Sequence, residues 1–490
     1  MPKQIGLPVG FWGVEDPRAS NAGTINCFPE VAAAATTQSP ADAKQSTPPV
    51  YLRRAPGITQ FAGTGSTTVS VRGMWEMSGV LYAVIGANLY SVNNLGTLNL
   101  LATGIGSSGF VRMTDNKYCL VILIPGTTIC YTYCPAAATP FQTLTASTFL
   151  TYGAIDCWFD DTYIVFLALN GLQFFNDDGQ AVSGTGQITF TTAAVFPRQL
   201  ATDSFIGMAV DHREVLMFGE RTSEGFLNVG NPTGSPFSSA PQSYMPIGMH
   251  PLAAYTAVLQ DQTVFWIAND LTVRRRNGST PVKVSNQAVD AFLSSANLTG
   301  CYGFAYSIAG HLMVAFTLPQ SAITIVYDCT TQLWHKMSSV VSNIGYWRPQ
   351  SCYNWNGKQL IGDSQSGNIG YLDTTSYAEF GQPMSASWQT QSVYDSHHRI
   401  SHRRLEAVVT AGGSTSISSG ANLTCYKSDD GGRTYMALPM ANLGAQGNYT
   451  ARAQWSNLGS AYDRAYKFLI ADPTQLFVVD IVAELEGGRY

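Results

Sequence analysis

Charge is scarce in this chain. Asp, Glu, Lys and Arg supply 12% of its 490 residues, against about 25% in an average soluble domain. Ser, Thr, Asn, Gln and Gly take up much of the missing surface. Such a surface suits extensive subunit contacts, where unpaired charge is costly to desolvate. It equally suits a neutral, Ser/Thr-rich secreted β protein. There is no basic excess either: 27 Lys and Arg face 32 Asp and Glu, a net charge of −5. That excludes a general nucleic-acid binder. It leaves open a conduit for DNA, because a wall that neutralised phosphates would hold the duplex fast.

Long apolar runs are also missing. The longest, Tyr118 to Ile124 and Tyr163 to Leu169, stop at Pro125-Gly126 and Asn170-Gly171. They have the length of strands, so no membrane span is expected. The opening Met1-Pro2-Lys3-Gln4-Ile5-Gly6 lacks the basic and then apolar pattern of an export signal. The nine cysteines are irregularly spaced with no Cys-x-x-Cys pair. This excludes a disulfide framework and a tight zinc set, and predicts buried, reduced thiols. No metal or cofactor is expected. Helical periodicity is absent apart from a short candidate at Asn286 to Leu298. No Gly-x-Ser-x-Gly, phosphate loop or dinucleotide fingerprint occurs, and Gly104-Ile105-Gly106 reads as turn glycines.

What is present is a repeat. From Gly73 an apolar strand, a polar turn, a second apolar strand, a tight turn and a third strand recur. The second strands begin near Val80, Lys117, Thr162, Glu214, Thr263, His311 and Lys358, at spacings of 37, 45, 52, 49, 48 and 47 residues. The preceding strands match in kind: Gly73-Met74-Trp75-Glu76-Met77, Gly109-Phe110-Val111-Arg112-Met113, Asp156-Cys157-Trp158-Phe159, Gly207-Met208-Ala209-Val210, Gly303-Phe304-Ala305-Tyr306 and Cys352-Tyr353-Asn354-Trp355. Turns such as Gly86-Ala87-Asn88, Asn170-Gly171 and Asn269-Asp270 supply residues that tolerate positive φ. A multi-strand unit every 40 to 50 residues or so is the mark of a β-propeller. Seven units predict six to eight blades, with seven the best count. From about Pro383 the repeat ends, and Ser401–Val409, Leu423–Lys427, Thr450–Trp455, Ala465–Ile470 and Gln475–Glu484 read as a β-sandwich. The expected chain is therefore all-β. Residues 1–72 form an N-terminal extended segment able to share a platform with the C-terminus. Residues 73–383 form a propeller and residues 384–490 a sandwich-like domain.

Three groups of residues invite a chemical reading. Ser428, Asp430, Gly432, Thr434 and Tyr435 fit the Asp-box pattern S-x-D-x-G-x-T-W with Tyr for Trp. The box is a hairpin turn in which Asp430 accepts backbone N–H bonds and Gly432 takes a positive φ. Such boxes recur on sialidase propellers away from the catalytic centre, and this one lies outside the repeat. The paired carboxylates Asp160-Asp161, Asp177-Asp178 and Asp429-Asp430 all fall at turns and read as solvated, not as a glycosidase pair facing across a cleft. The basic clusters Arg274-Arg275-Arg276 and His397-His398-Arg399 with His402-Arg403-Arg404 are candidate contacts for DNA or an acidic neighbour, or else solvated strand ends.

Asn26-Cys27-Phe28-Pro29-Glu30 resembles a segment near the start of the packaged-DNA stabilisation, or tail nozzle, proteins of short-tailed phages. Tyr51-Leu52-Arg53-Arg54-Ala55-Pro56-Gly57 is similar to the element that follows, and Trp455-Ser456-Asn457-Leu458-Gly459 with Asp463-Arg464 falls in order behind. The resemblance implies a virion tail protein, assembled in the bacterial cytoplasm and without catalytic residues. Six copies would form a ring below the portal and its adaptor. That ring would extend the channel, retain packaged DNA that passes without specific binding, and dock needle, plug or fibre proteins. Two other functions fit the residues: a glycan-binding or glycan-hydrolysing propeller, and an interaction scaffold outside any virion.

Overall fold

The computed structural model describes residues 3–7, 24–31, 50–106, 109–179, 188–190, 194–231, 234–341, 344–395, 398–410, 420–445, 447 and 452–487. Among them, seven four-stranded antiparallel blades follow one another around a circle. Their innermost strands are Val71–Met77, Arg112–Asp115, Asp156–Asp160, Phe205–Asp211, Val258–Gln260, Tyr302–Ile308 and Pro349–Trp355. Five of the second strands begin at the residues read from sequence: Val80, Glu214, Thr263, His311 and Lys358. The other two begin at Leu120 and Tyr163. In five blades the first turn is a two-residue hairpin with both central residues at positive φ: Ser78-Gly79, His212-Arg213, Asp261-Gln262, Ala309-Gly310 and Asn356-Gly357. The right-handed strand twist selects that geometry even where the residues are not Asn or Gly.

Each blade has two apolar faces that only another blade can cover, so the cores lie between blades. Val84, Leu89, Val111 and Ile122 fill the seam of blades 1 and 2. Cys157, Phe166 and Phe175 pack against Val121 and Leu123 in the next. The circle returns to its start, where Trp355, Leu360 and Ile369 of blade 7 share a core with Val71, Met74 and Leu81 of blade 1. Trp75 and Tyr353 meet across that last seam with ring centroids 5.8 Å apart. Inner strands approach closely: a Cβ on Gly73 would stand 2.7 Å from the Val111 side chain. Several of the few arginines are used inside the ring. Arg112 pairs with Asp156 across blades 2 and 3 at 2.7 Å, and Arg276 with Glu214 across blades 5 and 4 at 2.5 Å.

Blade 7 is completed from the other end of the chain. Its fourth strand is Gly57–Gly63, paired antiparallel with Asn368–Asp373. These residues thus lie in the propeller, although the sequence reading put them in the N-terminal extended segment. The remaining described N-terminal strands, Lys3–Gly6, Cys27–Val31 and Val50–Arg54, join a sheet with Phe477–Gly487, Ile400–Thr410 and Arg452–Ser456. A second sheet centred on Ala386–Gln389, Asp463–Ile470 and Asn422–Ser428 packs on it. Trp388, Leu405, Phe468 and Ile481 are among the buried side chains of this sandwich, and Cys27 and Leu52 join them. The expected short helix is present at Gln287–Ser295, capped by Asn286, whose side chain accepts from Val289 N at 3.0 Å.

The Asn-Cys-Phe-Pro-Glu segment is the joint between propeller and sandwich. Asn26, buried and at φ 56°, donates to the carbonyls of Ser338 (2.8 Å) and Ser385 (2.7 Å) and accepts from Ser338 N (2.9 Å). One side chain thereby ties the exit of blade 6 to the entry of the sandwich. Phe28 packs edge-on against His311 of blade 6. Glu30 accepts from Tyr51 Oη and Arg53 Nη1, both at 3.0 Å, and lies 3.3 Å from His311 Nε2. His311 Nδ1 bonds Asp328 at 2.7 Å, and this bond first of all raises the imidazole above its ordinary pKa.

The closing strand generates a prediction. Ile58 is buried in it, whereas Gln60 on the same strand is exposed. Ile58→Ala should lower the unfolding free energy by about 2–4 kcal/mol, the cost of a buried cavity. Gln60→Ala should stay within about 0.5 kcal/mol of wild type. Denaturant titration followed by tryptophan fluorescence measures both. Equal, small effects would show that this strand does not close the ring.

Candidate functional site

The inner strands converge on the propeller axis. There a cavity of about 170 Å³ is walled by strands of blades 1, 2, 3, 6 and 7 and by Tyr255 from the segment entering blade 5. Its lining is strongly aromatic, with Trp75, Phe110, Trp158, Tyr255, Tyr302 and Phe304. Phe110 and Tyr255 meet edge to face at 4.5 Å. Arg112 projects among them, 5.8 Å from the ring centroids of both Trp158 and Tyr255. Its Nε and Nη2 donate to the two oxygens of Asp156 at 2.8 and 2.7 Å, and Trp158 Nε1 donates to the same carboxylate at 3.3 Å. A space of this size admits a few waters or one small molecule. The axis of a single propeller is therefore closed to a polymer.

The Asp-box residues form a tightly bonded turn. Asp430 Oδ1 accepts from Ser428 Oγ at 2.6 Å and from the backbone N–H groups of Arg433 and Thr434, both at 2.9 Å. Its Oδ2 accepts from Thr434 Oγ1 at 2.6 Å. Gly432 takes φ 89° and donates its N–H to Ser428 Oγ at 2.9 Å. Bonds from Ser428 and Thr434 hold the Asp430 carboxyl well below the usual carboxylate range. Tyr435 is half-buried, with Lys467 Nζ 5.7 Å above its ring. Asp429, next to Asp430, receives a bidentate pair from the buried Arg464, with bonds of 2.5 and 2.9 Å.

Several sequence expectations need correction. The three arginines of 274–276 do not form one basic patch. Arg276 is buried and bonded to Glu214, while Arg274 is tied to Asp270 (2.6 Å) and the Pro281 carbonyl (3.0 Å). Arg275 faces a surface recess with Asp261 and His212. Strand alternation sends neighbours in different directions, which a run of identical letters conceals. In the second cluster His397 lies outside the described residues. His398 is exposed and 3.6 Å from Asp395, whereas His402 is buried with Nδ1 2.9 Å from Tyr466 Oη. Arg399 reaches the Ser460 carbonyl at 3.3 Å, Arg403 bonds Glu486 (2.7 Å) and Arg404 bonds Glu406 (2.7 Å). Asp160 and Asp177 are buried rather than solvated, and burial pushes their carboxyls up to about 6 and about 7. Cys119 and Cys134 form a disulfide, with Cα atoms 4.3 Å apart. The Leu120↔Tyr133 register places them on adjacent strands, a pairing that irregular spacing could not reveal.

One end of the blades is distinctive. The connections from second to third strands, and from each fourth strand to the next blade, emerge there. Around blades 1 to 3, segments 64–70, 86–87, 104–106, 109–111, 124–129, 144–155 and 168–172 contain no Asp, Glu, Lys or Arg, whereas blades 4 and 5 place Glu220, Arg221 and Asp270 at the same end. Ile129, Leu150, Leu169, Leu172, Leu200 and Leu252 are exposed at this end.

Family models identify the chain. A model described as bacteriophage P22 Gp10, beta-propeller matches residues 38–377, and one described as bacteriophage P22 Gp10, beta-sandwich matches residues 386–486. The chain belongs to the bacteriophage P22 Gp10 family. As a member of that family it is a structural tail protein of a phage virion. Among the described residues, no helix is long and apolar enough to cross a membrane. No curated protein matches the sequence. Among solved structures the chain is similar to a computationally designed protein, Ika8, at 12% identity and TM-score 0.36, covering 64% of this chain and 99% of that one. It is also similar to the extracellular domain of a putative hybrid two-component system from B. thetaiotaomicron, at 12% identity and TM-score 0.42, covering 84% of this chain and 57% of that one.

For this Gp10-family chain, the axial residues Trp75, Arg112, Trp158 and Tyr255 were not singled out by sequence. Three of them occupy the recurring first-strand slot, and large side chains there are the signal that marks an axis. The Asp-box turn yields a prediction. Because the folded carboxyl of Asp430 titrates below its unfolded value near about 3.9, its stabilisation is complete above that pH and is lost as the pH falls through the folded value. Asp430→Ala should therefore melt below wild type at neutral pH, with the gap narrowing progressively as the pH falls below about 4. A gap that is constant with pH would show that the ionised carboxylate is not what holds the turn.

Proposed function

We propose that this chain is one subunit of a ring, six copies strong, that continues the portal channel of a short-tailed phage. The ring retains packaged DNA until ejection and docks distal needle, plug or fibre proteins. It meets the head-to-tail adaptor on its other side and is assembled in the host cytoplasm. Its action is mechanical and electrostatic rather than enzymatic.

The closed propeller axis carries this reading. A duplex has a major groove alone about 12 Å wide, and it cannot enter a cavity of 170 Å³ filled with aromatic side chains. A conduit built from this chain must then lie between copies. The net charge of −5 supports a lumen to which phosphates do not adhere. The uncharged connections of blades 1 to 3, with Ile129, Leu150, Leu169 and Leu172 exposed there, support burial against a second copy of the chain. A ring needs a head-to-tail contact, so this end would meet a different surface of the next subunit.

Light scattering on the full-length protein under assembly conditions tests the proposal. Leu150→Asp with Leu172→Asp should shift the mass from the ring to the monomer without changing the melting temperature. Leu95→Asp, at the opposite end of blade 1, should leave the ring intact. A ring that survives the double substitution would contradict the assigned interface, and a monomer at all concentrations in wild type would contradict the ring.

A further inference from the structure

We propose that the outer edge of blade 1, Leu98–Thr103, docks an extended, uncharged segment of a different tail protein by strand addition. The choice of a different protein over a second copy rests on the ring reading above.

A strand at a sheet edge leaves a row of N–H and C=O groups unpaired. Natural proteins block such edges with proline, charge or a covering segment. Among the described residues, the outer edges of blades 2 to 7 are all blocked. Phe141–Thr143 of blade 2 follows Pro140, and Pro197, Pro241 and Pro281 lie in the outer strands of blades 3, 4 and 5. In blade 6 Ile25 bridges to Lys336, and in blade 7 Ala378–Glu379 and Gln382–Pro383 extend the sheet past Gly57–Gly63. Leu98–Thr103 has no proline and no charge, and among the described strands it pairs with Asn88–Val92 alone.

The free groups can be placed. Asn93 N–H donates to the Thr97 carbonyl at 3.1 Å, and Asn99 faces Ser91. Alternation along an antiparallel pair therefore turns the N–H and C=O groups of Leu98 and Leu100 outward. A bulge at Leu101 ends this regular stretch. Leu95 just before it and Leu100 within it are 88% and 56% exposed.

Charge and topology select the occupant. No Asp, Glu, Lys or Arg occurs from Met77 to Val111, so a charged segment laid on this edge would lose hydration and find no local counter-charge. A second copy could offer only the same edge. In the sandwich, Cys27–Val31 contains Pro29, Arg452–Ser456 carries Arg452, and Ala386–Gln389 is bridged by Ile25. The short strands Met436–Ala437 and Ala441–Asn442 flank Pro439. Pairing one blade 1 edge with another is two-fold and does not propagate around a head-to-tail ring.

Hydrogen exchange read by mass spectrometry tests this, on the isolated full-length protein and on the same protein in assembled phage particles. Segment 98–103 should exchange as an exposed edge in the isolated protein and about tenfold or more slowly in particles. Cryo-electron microscopy of those particles should show a strand beside Leu98–Leu100 that traces to another polypeptide with no charged residue against the edge. Leu100→Lys gives blade 1 the charge that guards other edges. It should abolish the slowing while leaving the melting temperature and the ring mass unchanged. Leu95→Asp, also exposed, is a second variant with the same expected direction. Three outcomes overturn the proposal: equal exchange in particles and in the isolated protein, an added strand that belongs to a second copy, or a charged occupant. Light scattering reads the ring separately. An intact ring whose edge stays unprotected in particles contradicts this docking site alone, and a wild-type monomer contradicts the ring.

Discussion

A four-stranded blade cannot cover its own faces, and this chain resolves that constraint by making each blade the lid of the next. The arrangement is stable only if the last blade meets the first. That closure depends on Gly57–Gly63, which completes blade 7 from the far end of the chain, and on the core shared by Trp355, Leu360, Val71 and Met74. Closure also explains the sandwich. A strand that enters blade 7 from the N-terminal side brings Cys27–Val31 and Val50–Arg54 to the place where the propeller ends. There they pair with each other, and Val50–Arg54 pairs with the last strand, Phe477–Gly487. The Asn26 clamp and the Glu30–His311–Asp328 contacts then fix one body to the other.

The propeller was legible because its first and second strands are buried and apolar, and because they recur at a nearly constant interval. The fourth strands were not. Leu98–Thr103 and Thr280–Lys283 are largely exposed on the outer rim, so nothing in their sequence marks a period of two. The closing strand was missed for a different reason: its partner lies some 300 residues away, and no local pattern encodes that pairing. At the candidate site the Asp-box turn was readable as a local hydrogen-bond motif. The axial cavity was not, since it is assembled from short pieces of five inner strands that lie far apart in the chain. Arg276 and Asp177 show the converse limit. Both look like surface residues in a polar turn, yet one bridges two blades and the other accepts the Ile164 N–H at 2.8 Å inside a blade.

The scarcity of charge now has a structural meaning. Arginines and carboxylates are placed at seams between blades, as in Arg112–Asp156, Arg198–Glu224 and Arg276–Glu214. Buried pairs of this kind add little net stability but penalise any alternative packing that would leave one partner alone. The connections of blades 1 to 3 carry exposed Ile129, Leu150, Leu169 and Leu172 and no charge. Membership in the bacteriophage P22 Gp10 family places that surface in a virion tail.

A propeller whose axis is filled by side chains such as Phe110, Arg112 and Tyr255 leaves no room for a duplex, and the proposed conduit therefore runs between copies. Cryo-electron microscopy of DNA-filled particles measures this directly. The account predicts duplex density on the particle axis, bounded by several copies of this chain, with Arg112 and Tyr255 in place at each propeller axis. Duplex density threading a propeller, with those side chains displaced, would contradict it.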